Sequence, residues 1–345
     1  MRLPVVPPVS PMLAKLKETM PRGDGWVYEP KWDGFRAIVF RDGDEVALTS
    51  RDTRPIDRYF PELIDPLKGV LPRRCVVDGE IVVAGEDGLD FDALLLRIHP
   101  AASRVKMLSE TVPASFVAFD LLALGDDSFM EAPLRERRAR LEAVLAGAPA
   151  AEPARMRGLE VFLTAQTADA DEAAVWFDAY EAMGLDGVIA KESHIVYSPG
   201  RRTMVKIKHK RTADCVVGGY RLSKSGDGVG SLLLGLYDGV GVLHYVGHTS
   251  SFKAAERRRL LEELRPLEGG TSFAGGRSPG GPSRWAAAAD KSWVPLEPSL
   301  VCEVSFDHMQ GERFRHAATF LRWRPEKRPE QCDFVQLGAL FKGNR

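Results

Sequence analysis

A chain of 345 residues exceeds what one hydrophobic core usually serves, so two domains are expected. Its content, 44% hydrophobic and 28% charged, is that of an ordinary globular protein, and no apolar run approaches the ~20 residues of a membrane span. The net charge of −1 by itself predicts no nucleic-acid partner, so any basic surface must be balanced by acids elsewhere. Cys75, Cys215, Cys302 and Cys332 share no C-x-x-C spacing, which argues against a zinc ribbon or a disulfide framework and fits a reducing cytoplasm. Residues 1–8 carry neither a long apolar core nor a small-residue cleavage site, so export is not expected.

In chain order, strand-like runs at 36–40 and 46–50 flank an Asp42-Gly43-Asp44 turn, which predicts a β-hairpin. Residues 75–83 and 116–124 are further apolar, β-branched or aromatic runs and predict strands. Residues 134–145, rich in Arg, Glu, Leu and Ala, predict a helix. So do residues 171–183, which open on acids, place Ala173, Phe177 and Tyr180 on one face and stop at Gly184. Strands with segregated helices predict an α+β domain over residues 1–209. Composition changes near Lys210. Runs at 232–237 and 242–246 around Asp238-Gly239 predict a second hairpin, 253–264 a charged helix, 269–283 a loop and 300–306 a strand. Strands, one helix and a long loop in residues 210–345 suit a small OB-type β-barrel.

The segment Glu29-Pro30-Lys31-Trp32-Asp33-Gly34-Phe35-Arg36 enters the first hairpin, and Pro30 and Gly34 force a shaped turn there. Taken alone, a lysine in such a turn is a solvated surface charge. As a nucleophile it needs an amine that is neutral at working pH, which nearby cations or a desolvating pocket would favour.

Lys31-Trp32-Asp33-Gly34-Phe35-Arg36 resembles the K-x-D-G-x-R signature of the covalent nucleotidyltransferases: DNA ligases, RNA ligases and mRNA capping enzymes. Later segments match in the family's order. Thr49-Ser50-Arg51-Asp52 looks like its S-R motif, and Asp78-Gly79-Glu80 its D-G-E motif. Phe116-Val117-Ala118-Phe119-Asp120 resembles its aromatic motif. Leu185-Asp186-Gly187-Val188-Ile189-Ala190-Lys191 is similar to the E-G-V motif, with Asp186 in place of glutamate. Thr203-Met204-Val205-Lys206-Ile207-Lys208 looks like K-x-K, where strand alternation puts Lys206 and Lys208 on one face. Phe320-Leu321-Arg322-Trp323-Arg324-Pro325-Glu326-Lys327 resembles R-x-D-K, with Glu326 in place of aspartate; Arg322 corresponds more loosely.

The resemblance runs from Glu29 to Lys327 and implies an adenylation (nucleotidyltransferase) domain, residues 1–209, followed by an OB-fold domain, residues 210–345. It implies an ATP-dependent DNA ligase that seals nicks in duplex DNA through an enzyme-lysine-AMP intermediate and a DNA-adenylate, in DNA repair. Lys31 is the implied nucleophile, with Asp33 orienting the adenylate and Lys206 and Lys208 aimed at phosphates and lowering the Lys31 pKa by repulsion. Glu29 through its backbone, together with Arg36, Glu80, a stacking Phe119, Arg324 and Lys327, would bind the nucleotide, the last two meeting the leaving pyrophosphate; Arg51 would contact the nucleotide or the phosphate of the DNA end. Glu80 and Asp186 would hold Mg²⁺ (or Mn²⁺). A hinge near residues 208–214 is expected to let the second domain close and then clear the DNA. The absence of paired cysteines speaks against the NAD-dependent, zinc-finger-bearing ligases. Motifs beginning about thirty residues in match a minimal two-domain ligase similar to the bacterial ligase C type. The implied partner is nicked double-stranded DNA, bound by a cytoplasmic, nucleoid-associated monomer without membrane contact, alongside a repair polymerase or end-binding proteins. The rivals are an RNA ligase, a capping guanylyltransferase charging the same lysine with GMP, and a non-catalytic nucleic-acid-binding module. The last would need no such lysine.

Overall fold

The strand-like runs either side of Asp42-Gly43-Asp44 pair as a hairpin, with Asp42 opposite Glu45 and Gly43 in the left-handed region at φ 65°. The structure, a computed structural model, describes residues 1–340 apart from 87, 150, 153–155, 157, 159, 182 and 281–291. Two compact units divide the chain, Met1–His209 and Lys210–Arg345.

The strands of the first unit are β1 (Leu13–Lys17), β2 (Trp26–Pro30), β3 (Phe35–Asp42), β4 (Glu45–Ser50), β5 (Arg74–Val83), β6 (Ala114–Leu124), β7 (Asp127–Ser128), β8 (Val161–Leu163), β9 (Val188–Glu192) and β10 (Arg202–Ile207). They form two sheets. One runs β4-β3-β5-β6-β7, with β8 parallel to β6; the other runs β1-β10-β9-β2. The expected strands at 36–40, 46–50, 75–83 and 116–124 are β3 to β6 of the larger sheet. The smaller sheet joins residues nearly 190 apart, Leu13 with Arg202, through a parallel β1–β10 pairing that no local pattern announces.

Helices α1 (Ile64–Val70), α2 (Phe91–Leu96), α3 (Ala102–Thr111), α4 (Leu134–Val144) and α5 (Ala170–Glu181) complete the unit. Leu67, Leu94 and Leu141 from α1, α2 and α4 bury against Val39, Val77 and Phe116 of the large sheet. Asp171 and Glu172 occupy the first turn of α5, where the helix dipole favours negative charge. Its apolar side is divided: Ala173 and Phe177 pack with Tyr28 and Val188, whereas Tyr180 joins the cluster of Trp32 and Leu89.

In the second unit β11 (Arg211–Leu222), β12 (Val229–Tyr237), β13 (Leu243–Thr249), α6 (Ala254–Leu264), β14 (Val294–Pro295), β15 (Val301–Phe306), β16 (Met309–Gln310), β17 (Arg313–Phe314) and β18 (Thr319–Trp323) follow one another. The antiparallel path is β13-β12-β11-β15-β18, with β14 on β11 and β16 paired to β17. A bridge between Thr249 and Ala318 joins its two outer strands and closes the OB-type barrel around Val216, Leu232, Leu234, Val246 and Val304. Leu260 and Leu264 of α6 bury in the same core. The hairpin turn is held by the Asp238 carboxylate, which accepts from the backbone N–H groups of Val240 and Val242. Of the expected 269–283 loop, residues 281–283 lie outside the described residues. Cys215 and Cys302 face each other across β11 and β15 as buried free thiols. Among the described residues no helix is long and apolar enough to cross a membrane.

Candidate active site

Two segments distant in sequence are knitted by backbone bonds at the end of β2. The Lys31 N–H donates to the Gly187 carbonyl at 2.9 Å, and the Asp186 N–H returns a bond to the Lys31 carbonyl at 3.0 Å. Gly187 sits at φ +125°, and a Cβ there would lie 2.0 Å from the Ile207 carbonyl oxygen. Only glycine lets the 185–187 turn press against the end of β10, and this brings Lys208 to the same place. Gly34 plays the corresponding role on the other side, since a Cβ there would meet the Ile81 carbonyl at 2.2 Å and Glu80 Cγ at 2.9 Å. The lysine turn is thereby laid onto β5 beside Glu80.

The outcome is a lysine–carboxylate–lysine arrangement. Lys31 Nζ lies 2.5 Å from Asp186 Oδ2, and Lys208 Nζ pairs with the same oxygen. The Asp186 side chain is only 4% exposed, so both ammonium groups bind a carboxylate largely withdrawn from water. Burial alone would push the Lys31 amine down, but Asp186, Asp33 and Glu80 outweigh it and hold Lys31 above the ordinary lysine value. The expected depression of Lys31 by Lys206 and Lys208 is therefore incorrect for this state. The acids supplied by three different segments exceed the repulsion. Lys206 is the amine that is lowered, by burial and then by the charges of Lys208 and Lys31. Glu80, on β5 opposite Arg36, is pushed up to about 7, chiefly by burial.

Beside this cluster Arg36 is fixed from below. Its Nε and Nη2 donate to the two oxygens of Asp78 at 2.6 Å each, and Tyr197 Oη donates to Asp78 Oδ2 at 2.6 Å. Asp78 is completely buried. The Arg36 guanidinium lies 4.3 Å from the Phe119 ring centroid and Lys191 Nζ lies 5.0 Å from it, so two cations attend one aromatic ring. Lys191 pairs with Glu29 at 2.7 Å, and the Glu29 carboxylate also accepts from Gln166 Nε2 at 2.8 Å. Trp32 Nε1 donates to Thr164 Oγ1 at 2.9 Å, tying the turn to the same neighbouring segment as Gln166. Arg51 stands exposed in the turn after β4, close enough for its charge to act on Lys206.

Residues 11–208 match the family model described as "ATP dependent DNA ligase domain", and residues 225–327 match "ATP dependent DNA ligase C terminal region". The chain belongs to the ATP-dependent DNA ligase family. It is 54% identical to DNA ligase C of Mycobacterium tuberculosis, over 98% of this chain and 96% of that protein. It is 30% identical to the multifunctional non-homologous end joining DNA repair protein LigD of the same species, over 89% of this chain but 37% of that protein. Among solved structures, mycobacterial DNA ligase D complexed with ATP and MES matches with a TM-score of 0.50 and 28% identity, covering 94% of this chain and 97% of that one. This ligase is accordingly of the minimal bacterial ligase C type: an adenylation domain and an OB-fold domain that use ATP to seal nicks in DNA.

The fold of the first unit brings Lys31, Asp186, Lys208, Lys206, Glu80 and Asp33 within mutual electrostatic reach, with Arg36, Phe119 and Glu29 linked through Asp78 and Lys191. The Phe-Asp pair of the aromatic motif is split. Phe119 faces Arg36, while Asp120 is buried on Arg137, which grips both carboxylate oxygens at 2.7 and 3.0 Å. Arg324 and Lys327 belong to the second unit, where Asp214 holds both. Asp78 and Lys191 stand inside the recognised motifs but were given no role from sequence. Tyr197 and Gln166 carried no signal at all, because each acts through a partner more than a hundred residues away.

Proposed function

We propose that Lys31 carries the AMP of this ligase, and that its surroundings keep the amine protonated until the site is loaded. The observation supporting this is the single buried carboxylate, Asp186, shared between Lys31 and Lys208. A lysine held above its ordinary value is a poor nucleophile. Positive charge reaching Asp186, Asp33 and Glu80 weakens that hold and frees the amine. The Lys31 nitrogen then attacks the α-phosphorus of ATP, a P–N bond forms and pyrophosphate leaves. A 5′-phosphate oxygen at the nick takes the AMP, the P–N bond breaks, and the 3′-hydroxyl displaces AMP to close the strand. In each transfer the protein positions the groups in line and neutralises charge.

In this reading Lys206, Lys208 and Arg51 face phosphates, Asp33 orients the adenylate, and Arg36 and Phe119 receive the nucleotide, the ring stacking on the base. Glu29, its carboxylate occupied by Lys191 and Gln166, meets the base through its backbone. Arg324 and Lys327 take the pyrophosphate. The enzyme works on nicked duplex DNA as a cytoplasmic monomer at the nucleoid, with a repair polymerase or end-binding proteins as partners, in keeping with its likeness to an end-joining repair protein.

The test of the nucleophile is a peptide map. After exposure to ATP and Mg²⁺, mass spectrometry should find one AMP adduct, on Lys31. An adduct on another lysine of the folded protein rules the assignment out.

Among the described residues no cluster of three or more His, Cys, Asp or Glu is placed to hold a metal, so a divalent cation here would need phosphate oxygens and water to complete its shell. Glu80 is a half-buried carboxyl raised to about 7, which a nearby cation would return to its charged form. Glu80 and Asp186 would hold Mg²⁺ or Mn²⁺, which supplies charge neutralisation at the reacting phosphate. A thermal test needs no turnover. Because the folded value of Glu80 lies above its unfolded one, its contribution to stability is complete below the ordinary glutamate value and lost as pH rises through about 7. In EDTA, Glu80→Gln should therefore raise the melting temperature more at pH 8 than at pH 5, on a scale of about 2–4 °C per kcal/mol. Mg²⁺ should raise it at pH 8 in the wild type and much less in the variant. Equal Mg²⁺ responses would remove Glu80 from the metal site.

A further inference from the structure

Within the second unit one carboxylate holds both cations assigned above to pyrophosphate. Asp214 lies near the start of β11; Arg324 Nη1 donates to its Oδ1 at 2.8 Å and Lys327 Nζ to its Oδ2 at 2.6 Å. Its backbone is clamped as well: the Asp214 N–H donates to Gln336 Oε1 at 2.8 Å, and its carbonyl accepts from Gln336 Nε2 at 3.1 Å. On neighbouring strands of the barrel Asp214 is registered with Glu303, and Glu303 with Arg322. Two carboxylates directly opposite on neighbouring strands repel. Here Arg324 lies between them, 3.5 Å from Glu303, and its Nε also meets Glu326 at 2.5 Å, while Arg322 takes Glu303 at 2.7 Å. The charges of Asp214, Glu303 and Glu326 cancel those of Arg322, Arg324 and Lys327. A polyanion arriving at this cluster meets no net positive charge; it must exchange a carboxylate for its own oxygens, which offer the same two-point acceptor geometry.

We infer that Asp214 is the resting counter-ion of the pyrophosphate-binding pair, holding Arg324 and Lys327 together between turnovers and reclaiming them once Lys31 is charged. The inference rests on the assignment of Arg324 and Lys327 given above and adds a positioning residue that touches neither nucleotide nor DNA. By competing for the two cations, Asp214 speeds the departure of pyrophosphate and protects the adenylated enzyme from reversal. In that reversal a pyrophosphate oxygen attacks the α-phosphorus of the lysine adduct. The P–N bond breaks, the P–O–P bond of ATP forms, and Lys31 leaves as an amine that takes its proton from solvent.

The experiment loads full-length enzyme with labelled AMP, removes free ATP and titrates inorganic pyrophosphate until half the label is released. Wild type is compared with Asp214→Asn, with Asp214→Ser and with the Arg324→Ala/Lys327→Ala double variant. Asparagine keeps the shape and an acceptor oxygen but not the charge. The two Asp214 variants should need about three- to tenfold less pyrophosphate, the scale of two partly exposed ion pairs. The double variant should need more. A loosened fold raises the requirement, so heightened sensitivity is a response that a merely structural role would not produce. An unchanged or higher requirement in both Asp214 variants, with the double variant impaired, overturns the counter-ion role alone. A double variant that reverses like wild type overturns the pyrophosphate assignment and the inference with it.

Discussion

Arginine in place of Lys31 should leave a folded ligase that takes up AMP at less than about 10⁻⁴ of the wild-type rate, the scale of removing a nucleophile. The substitution keeps a cation against Asp186, so the ion pair at the end of β2 survives in kind. A guanidinium is never neutral in the working range and offers no lone pair to the α-phosphorus. Sealing of a nick that already carries AMP should remain measurable, because there the 3′-hydroxyl attacks and no lysine adduct forms. Label retained by the folded variant at more than a few per cent of wild type would mean that another side chain is the acceptor. A melting temperature close to wild type is part of the expectation, since it separates lost chemistry from lost fold.

The largest effect on stability is expected at Asp78. Arg36 donates to both of its oxygens and Tyr197 to one of them, all at 2.6 Å, in a position closed to water. Asp78→Ala would leave a partly exposed guanidinium and a buried phenol without this acceptor. Breaking a buried pair from one side costs about 3–5 kcal/mol. At about 2–4 °C per kcal/mol the melting temperature should fall by roughly 6–20 °C. The partner change Arg36→Met, made in the Asp78→Ala background, should recover much of that loss by removing the unpaired charge, although AMP uptake stays low because Phe119 has lost its neighbouring guanidinium. A single variant melting within about 2 °C of wild type would show that water reaches Arg36 and that the triad contributes little.

Much of the machinery was legible residue by residue. The lysine turn, the hairpin after it, strands β5 and β6, helices α4 and α5 and the second hairpin all carry local signals, such as turn glycines, apolar β-branched or aromatic runs and acids at a helix start. The order of short motifs from Lys31 to Lys327 pointed to nucleotide transfer through its resemblance to the motif series of the covalent nucleotidyltransferases. What local wording lacks is the partner of each charge. Asp186 and Lys208 were both read as site residues, yet nothing near either says that they share one carboxylate oxygen with Lys31. Asp214 reads from sequence only as the last residue of the hinge expected near 208–214; the fold puts it in β11, where Arg324 and Lys327 reach it from 110 and 113 residues later in the chain.

The sequence by itself determined which groups are present and in what order: an amine in a glycine-shaped turn, carboxylates and lysines on short strands, and an arginine–lysine pair near the end. Only the tertiary structure decided the charge state of the amine. A pKa depends on burial and on every neighbour within a few ångströms, and three of the four segments that supply those neighbours are joined to Lys31 by pairing over long stretches of chain. That is why the lysine expected to be lowered by other lysines is instead held up by Asp186, Asp33 and Glu80.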